Sequence, residues 1–235
     1  MNNYKYMFKK LYKINPYSRL YLNNNLLIKK IPKNKKFDSY NEINILNSIE
    51  SDYIIKIKEY YDDTDFVYIV MDYYPGKDLY DNIKKKKINI NKDFIKKIIK
   101  PIEILHSNNI VHLDLKLENY LYQDSYNYVL IDFQWSKYHE NSYYNTVKVD
   151  DNFIYGTPNF MAPELYLQEK YCKASDIYSL GCLLFLAFTR NIYTKENLYL
   201  LNNLKPDIKY LIKELLKDDF TKRPSIYDIK KYLIN

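Results

Sequence analysis

From Leu11 to about Tyr73 the apolar residues come in short runs broken by polar ones, a pattern that predicts short strands around a single helix. Leu26-Leu27-Ile28-Lys29-Lys30-Ile31 reads as a brief strand, ended by Pro32, that leaves one lysine pointing into a cleft. Over residues 40–49, Ile43, Leu46 and Ile49 recur at helical spacing with Glu42 beside the stripe, and two β-rich runs follow at 53–57 and 66–71. Tyr73-Tyr74-Pro75-Gly76 has turn chemistry and divides a smaller strand-rich part, 1–73, from a larger part, 74–235, whose periodicity is mainly helical. There the pattern predicts a long amphipathic helix at 92–107 kinked at Pro101, short strands at 119–123 and 128–131, and an irregular segment from Asp132 to Glu164. Helices resume at 175–189, 207–217 and 225–233.

Composition changes this picture little. A chain of 235 residues with 47% hydrophobic content can bury a real core as one domain of two lobes. The formal charge of +7 would suit an anionic partner, but Lys, Asn, Tyr and Ile dominate and glycine numbers only three, the signature of drift in an AT-rich genome. Only Lys84-Lys85-Lys86-Lys87 forms a compact basic run, which reads as a solvated face, so no specific nucleic-acid partner is expected. Cys172 and Cys182 form neither a metal-ligand spacing nor a disulfide framework. Residues 1–13 hold no leader-like apolar run, and 177–188 is too short to cross a bilayer. The expectation is a soluble, cytoplasmic monomer, in the host's cytoplasm if the AT-rich source is a virus or parasite.

The chemistry concentrates in His112-Leu113-Asp114-Leu115-Lys116-Leu117-Glu118-Asn119 and, shortly after, Asp132-Phe133-Gln134. Each segment flanks a carboxylate with apolar residues, and the first adds a lysine and an asparagine, a combination suited to a metal-bound phosphate. The two resemble the catalytic loop and the metal-binding DFG segment of protein kinases. Further landmarks of that family appear in order: the strand lysine at Lys29 rather than its neighbour Lys30, the helix glutamate at Glu42, a gatekeeper at Met71 and a hinge at Asp72-Tyr73-Tyr74. Gly156-Thr157-Pro158 through Ala162-Pro163-Glu164 matches the end of the activation segment, and Asp176 to Gly181 the buried helix beneath the catalytic loop. Arg223 matches the partner of Glu164, and all three glycines, Gly76, Gly156 and Gly181, fall on such landmarks.

The resemblance implies an α+β, two-lobed protein kinase-like fold and an ATP- and Mg2+-dependent kinase of the serine/threonine branch acting on a protein substrate. It assigns Asp114 as the base, Lys116 beside the transferred phosphate, Lys29 on the α- and β-phosphates with Glu42 holding it, and Asn119 and Asp132 on the metal. Leu20, Met71, Asp72 and Tyr73 would contact the nucleotide. His112 and His106 read as structural. Glu118 is similar to the calcium/calmodulin-dependent groups, and Asp78 lies near a position that some relatives use for basic peptides.

Four departures stand out. The glycine-rich loop aligns with Lys13-Ile14-Asn15-Pro16-Tyr17-Ser18-Arg19-Leu20, which has no glycine, so a stiffer lid is expected, with Lys13 or Arg19 as electrostatic substitutes. Gln134 replaces the glycine after Asp132-Phe133, which should restrict flipping of that segment. Leu113 replaces the arginine that receives the activation-segment phosphate, which predicts activity without phosphorylation there although Thr146 and Thr157 lie in it. The span from Gly181 to Arg223 is also short for the family's helical subdomain. The missing glycines leave a second reading open, a pseudokinase scaffold that binds nucleotide or a partner. A kinase of small molecules is a third, which Ala162-Pro163-Glu164 and Arg223 argue against.

Overall fold

The computed structural model describes residues 10–33, 38–122, 127–140, 142–149 and 155–234. Residues 1–9, which carry most of the leader expectation, and Gln123, the end of a predicted strand, lie outside them.

A five-stranded antiparallel sheet forms the smaller part: β1 (Lys10–Asn15), β2 (Ser18–Asn23), β3 (Leu26–Pro32), β4 (Ile57–Asp62) and β5 (Phe66–Asp72), in the order β1-β2-β3-β5-β4. Helix α1 (Asn41–Asn47) follows β3 and buries Ile43, Ile45 and Leu46 together with Glu42. Strand alternation decides between the two lysines of β3, because successive side chains face opposite ways. Ile28 points to a small cluster with Tyr68 and Val70, and Lys30, on the same side, lays its ammonium 3.7 Å from the centre of the Phe66 ring. Lys29 therefore faces inward, and it is 3% exposed.

One predicted strand is displaced. The run at 53–57 is not a strand of this sheet; β4 begins only at Ile57, and its alternation is that of an exposed outer strand. Tyr53 and Ile55 pair instead across the lobe boundary: the Leu130 amide donates to Tyr53 O at 2.9 Å and the Ile55 amide to Leu130 O at 3.0 Å. Buried Ile54 and Ile55 thus belong to the joint between the lobes, which is why their apolar pattern misleads.

Beyond the turn at 73–76 the chain is mainly helical: α2 (Leu79–Lys84), α3 (Lys92–Ser107), α4 (Pro163–Leu167), α5 (Lys173–Thr189), α6 (Pro206–Leu215) and α7 (Ile226–Ile234). Helix α2 is capped by Asp78, whose carboxylate accepts from the Asp81 amide, and α3 continues through Pro101. Short strands β6 (Ile110–Val111) and β9 (Lys137–Tyr138) pair, as do β7 (Tyr120–Tyr122) with β8 (Tyr128–Leu130) and β10 (Val147–Lys148) with β11 (Lys170–Tyr171). Helix α5 is buried almost throughout, and no helix among the described residues is long and apolar enough to cross a membrane. Lys84 to Lys87 are all exposed, as a solvated run should be.

Candidate active site

Asp176 of α5 organises the loop that holds Asp114, Lys116 and Asn119. Fully buried, it accepts hydrogen bonds from the amides of His112 (2.8 Å) and Leu113 (2.9 Å) and lies 3.1 Å from His106 Nε2. Burial alone would raise this carboxyl, but the hydrogen bond with His106 and the surrounding donors hold it below the usual carboxylate range. Gripping two successive amides draws Leu113 into a left-handed backbone at φ 64°, a strained state for a side chain of its size. Gly156 packs on that turn: it has φ +89°, and a Cβ there would lie 2.3 Å from Leu113 O, so only glycine fits. Burial holds His112 below its ordinary pKa and hence neutral, with Nδ1 accepting from the Asp114 amide at 3.3 Å and Nε2 3.3 Å from Ile131 O. Both histidines are buried and take part in the hydrogen bonds around the loop.

The candidate site residues form two clusters. In the first, Lys29 Nζ donates to Glu42 Oε2 and to Asp132 Oδ1, each at 2.6 Å. Burial opposes the ammonium charge, yet the two carboxylates outweigh it and keep Lys29 protonated well above its ordinary range. Burial would likewise raise Asp132, but the Lys29 ammonium holds it low and ionised. Glu42 also accepts from the Phe133 amide at 3.2 Å, and its neighbour Asn41 donates to the backbone oxygens of Gln134 (3.2 Å) and Ser136 (3.0 Å). Asp132 itself has φ 66°, a second strained non-glycine residue at the site.

The second cluster surrounds Asp114, which is 5% exposed. Its Oδ2 accepts from Lys116 Nζ at 2.7 Å and from Asn119 Nδ2 at 3.1 Å, and its Oδ1 from Thr157 Oγ1 at 2.7 Å. Lys116 Nζ also donates to Thr157 Oγ1 at 2.7 Å, closing a ring of three side chains. Asn119 Nδ2 donates a further bond to Asp114 O at 2.8 Å, so both its amide hydrogens are engaged and its carbonyl oxygen remains as an acceptor.

A cleft of about 420 Å³ runs between the sheet and the helical part. Leu20, Lys29, Met71 and Asp72 line it from the sheet, Tyr73 from the connecting segment, and Asn119 and Asp132 from below, so every residue expected at a nucleotide meets there. The Tyr73 amide is bonded to Asn25 O at 2.9 Å, and the Asp72 carboxylate pairs with Lys58 at 2.8 Å. Lys13 lines the cleft and Arg19 does not, which separates the two cations considered for the lid. The sequence did not single out Tyr12, Leu27, Ile55, Leu121 and Ile131, which complete the apolar walls, nor Thr157 as part of the Asp114 cluster. Strand alternation around Lys29 could have found Leu27; nothing local could have found Thr157.

Magnesium takes oxygen ligands and leaves several positions to water and phosphate. The ionised Asp132, with one oxygen held by Lys29, and the carbonyl oxygen of Asn119 suit such an ion on the cleft wall.

Residues 19–233 match the protein kinase domain family. Among curated proteins the chain is 34% identical over 164 residues to a calcium/calmodulin-dependent protein kinase type 1 of Caenorhabditis briggsae, covering 67% of this chain and 44% of that protein. It is 31% identical over 198 residues to a probable serine/threonine-protein kinase 2 of Plasmodium falciparum (76% and 38% covered). With calcium-dependent protein kinase 6 of Plasmodium berghei it shares 32% over 231 residues (88% and 15%). The chain thus spans less than half the length of these curated relatives.

Proposed function

This chain belongs to the eukaryotic-type serine/threonine protein kinase family, and we propose that it transfers the γ-phosphate of ATP to serine and threonine hydroxyls of protein substrates. The observation that carries the proposal is Lys29 held between Glu42 and Asp132 at 2.6 Å each, in the same structure as a closed Asp114–Lys116–Thr157 ring. Lys29 has three ammonium hydrogens and two are engaged, which leaves one for an oxygen of the α- or β-phosphate. The substrate hydroxyl gives its proton to Asp114 as its oxygen bonds to the γ-phosphorus and the bond to the β-phosphate oxygen breaks, releasing ADP. Lys116 offsets charge on the transferred group, and Thr157 fixes Lys116 and Asp114 relative to each other. Magnesium, held by Asp132 and Asn119, would neutralise charge on the phosphates.

Activity without activation-segment phosphorylation is part of the proposal. Leu113, 3% exposed, lies in an apolar cluster with Trp135, Tyr155, Met161, Leu165 and Tyr171, and this packing supports the segment where relatives use a phosphate–arginine pair. The β6–β9 and β10–β11 pairs add backbone hydrogen bonds to the same segment. The buried free thiols of Cys172 and Cys182 suit a reducing, cytoplasmic setting. Asp78 both caps α2 and lines the cleft, which leaves a preference for basic peptides as a weaker extension.

One observation favours the scaffold reading: Pro16 and Tyr17 form the whole of the two-residue turn that replaces the glycine loop. Magnesium-ATP turnover on generic protein substrates decides, with Asp114→Asn and Lys29→Met as controls. Transfer lost in both variants and insensitive to phosphatase pretreatment is the expected result; ATP binding without transfer in the parent protein would favour the scaffold.

A further inference from the structure

The β1–β2 hairpin has a cleft face that its register defines. Lys13 pairs with Leu20 and Asn15 with Ser18, and directly opposed residues of an antiparallel pair share a face. Lys13, Asn15 and Leu20 line the cleft; Ser18 shares their face of the hairpin by register without itself lining the open cleft, while Arg19, paired with Ile14 and Lys30, lies on the other face. Ser18 is 4% exposed, and its Oγ has no hydrogen-bond partner among the described residues. A hydroxyl buried without a partner is costly, and one retained beside a ligand cleft points to a partner that arrives with the ligand.

The turn explains why such a donor is needed. Glycine loops bind phosphate with closely approaching backbone amides, but Pro16 has no N–H, and neither Pro16 nor Tyr17 has the positive φ that a glycine would allow. The tip is nevertheless fixed toward the phosphate end of the cleft, because Tyr17 packs edge-on against Trp135, three residues beyond Asp132.

We propose that Ser18 is a phosphate-binding residue, its hydroxyl donating to a phosphate oxygen of the bound nucleotide and so standing in for the backbone amides that a glycine-rich turn would present. The proposal rests on the nucleotide-binding reading of the cleft. Lys13 supplies charge on the same face, and Ser18 supplies the directed bond.

The test compares dissociation constants for Mg-ATP and for adenosine in wild type, Ser18→Ala and Ser18→Thr, together with melting temperatures without ligand. Ser18→Ala should weaken ATP by about tenfold or more, as loss of a hydrogen bond to a charged group implies, and leave adenosine within about twofold. Its ligand-free melting temperature should stay level or rise, since an unsatisfied buried hydroxyl is removed, and Ser18→Thr should recover ATP affinity. Equal weakening of ATP and adenosine, or a fall in ligand-free stability, would assign Ser18 a structural role and overturn the proposal. A wild type that binds ATP no tighter than adenosine would overturn it too. Neither measurement reads phosphate transfer, so a parent protein that binds ATP selectively but transfers nothing defeats the catalytic reading alone.

Discussion

The ring of Tyr17 meets the indole of Trp135 edge-on, with 5.3 Å between centroids and an interplanar angle of 88°, and so joins the tip of the β1–β2 turn to the segment that follows Asp132. Trp135 in turn packs against Tyr155 at 5.5 Å. Such pairs contribute about 0.5–1.5 kcal/mol beyond area burial, or roughly 2- to 12-fold in an equilibrium. Tyr17→Ala should therefore speed nucleotide release by roughly that factor, and Tyr17→Phe should not. Stopped-flow fluorescence can follow the event, because Trp135 is the single tryptophan of the chain. Equal release rates in all three proteins would exclude a closing role for the contact.

Restoring the family's arginine should harm this protein. Leu113→Arg would put a guanidinium among Trp135, Tyr155 and Met161, with Gly156 packed on its backbone, and lower stability by about 2–5 kcal/mol. Urea unfolding should show the midpoint falling. A variant as stable as the parent and newly dependent on activation-segment phosphorylation would refute the idea that packing replaces the phosphate here.

Thr157 separates positioning from binding. Thr157→Ala removes the hydroxyl shared by Asp114 and Lys116 but touches nothing that lines the cleft proposed for the nucleotide. We expect kcat to fall about 10- to 100-fold, as misplaced reacting groups do, with little change in ATP affinity, and Thr157→Ser to restore most of the rate. A matching loss of ATP affinity would argue against the assignment.

Stability should depend on pH through two buried histidines. Burial holds His112 and His139 below their ordinary value of 6.5, and His139 has Nε2 2.8 Å from Asn145 O while its buried Nδ1 lacks a hydrogen-bond partner among the described residues. Below pH 6.5 the unfolded chain takes up protons that the folded chain refuses, so stability falls as pH falls; well above it the two states bind alike and the effect vanishes. The slope is at most about 1.4 kcal/mol per pH unit for each histidine. Melting temperatures should be level from pH 8 to 7 and decline toward 5, and His139→Gln should remove about half of the decline. A flat profile down to pH 5 would contradict it.

Where several functional residues sit within a few positions of one another, the sequence is readable. Asp114, Lys116 and Asn119 occupy one loop, and Asp132 and Phe133 adjoin, so residue type and spacing suffice. Lys29 is separable from Lys30 once a strand is assumed, because alternation sends them to opposite faces. The run at 53–57 misleads because Ile54 and Ile55 are buried at the lobe joint, and apolar content alone does not say which partner buries a residue. Thr157 reads from sequence as a phosphorylation candidate, since its bonds to Asp114 and Lys116 depend on how the Gly156 turn packs against Leu113. Tyr17 and Trp135 are far apart in the chain and meet only when the hairpin lies over the cleft.

Helix α1 carries one further consequence. Glu42 holds Lys29 and the Phe133 amide, and Asn41 holds the carbonyls of Gln134 and Ser136, so four bonds tie one short helix to both a strand and the segment after Asp132. Outward movement of the helix and reversal of that segment cannot occur independently, because either one breaks the bonds of the other. The two movements are then coupled by the free energy of those bonds, about 1 kcal/mol each and more where a charged group takes part. A small molecule that selects the displaced helix must supply the free energy of both movements, and its affinity will be lower by that amount than for a kinase in which the two are uncoupled.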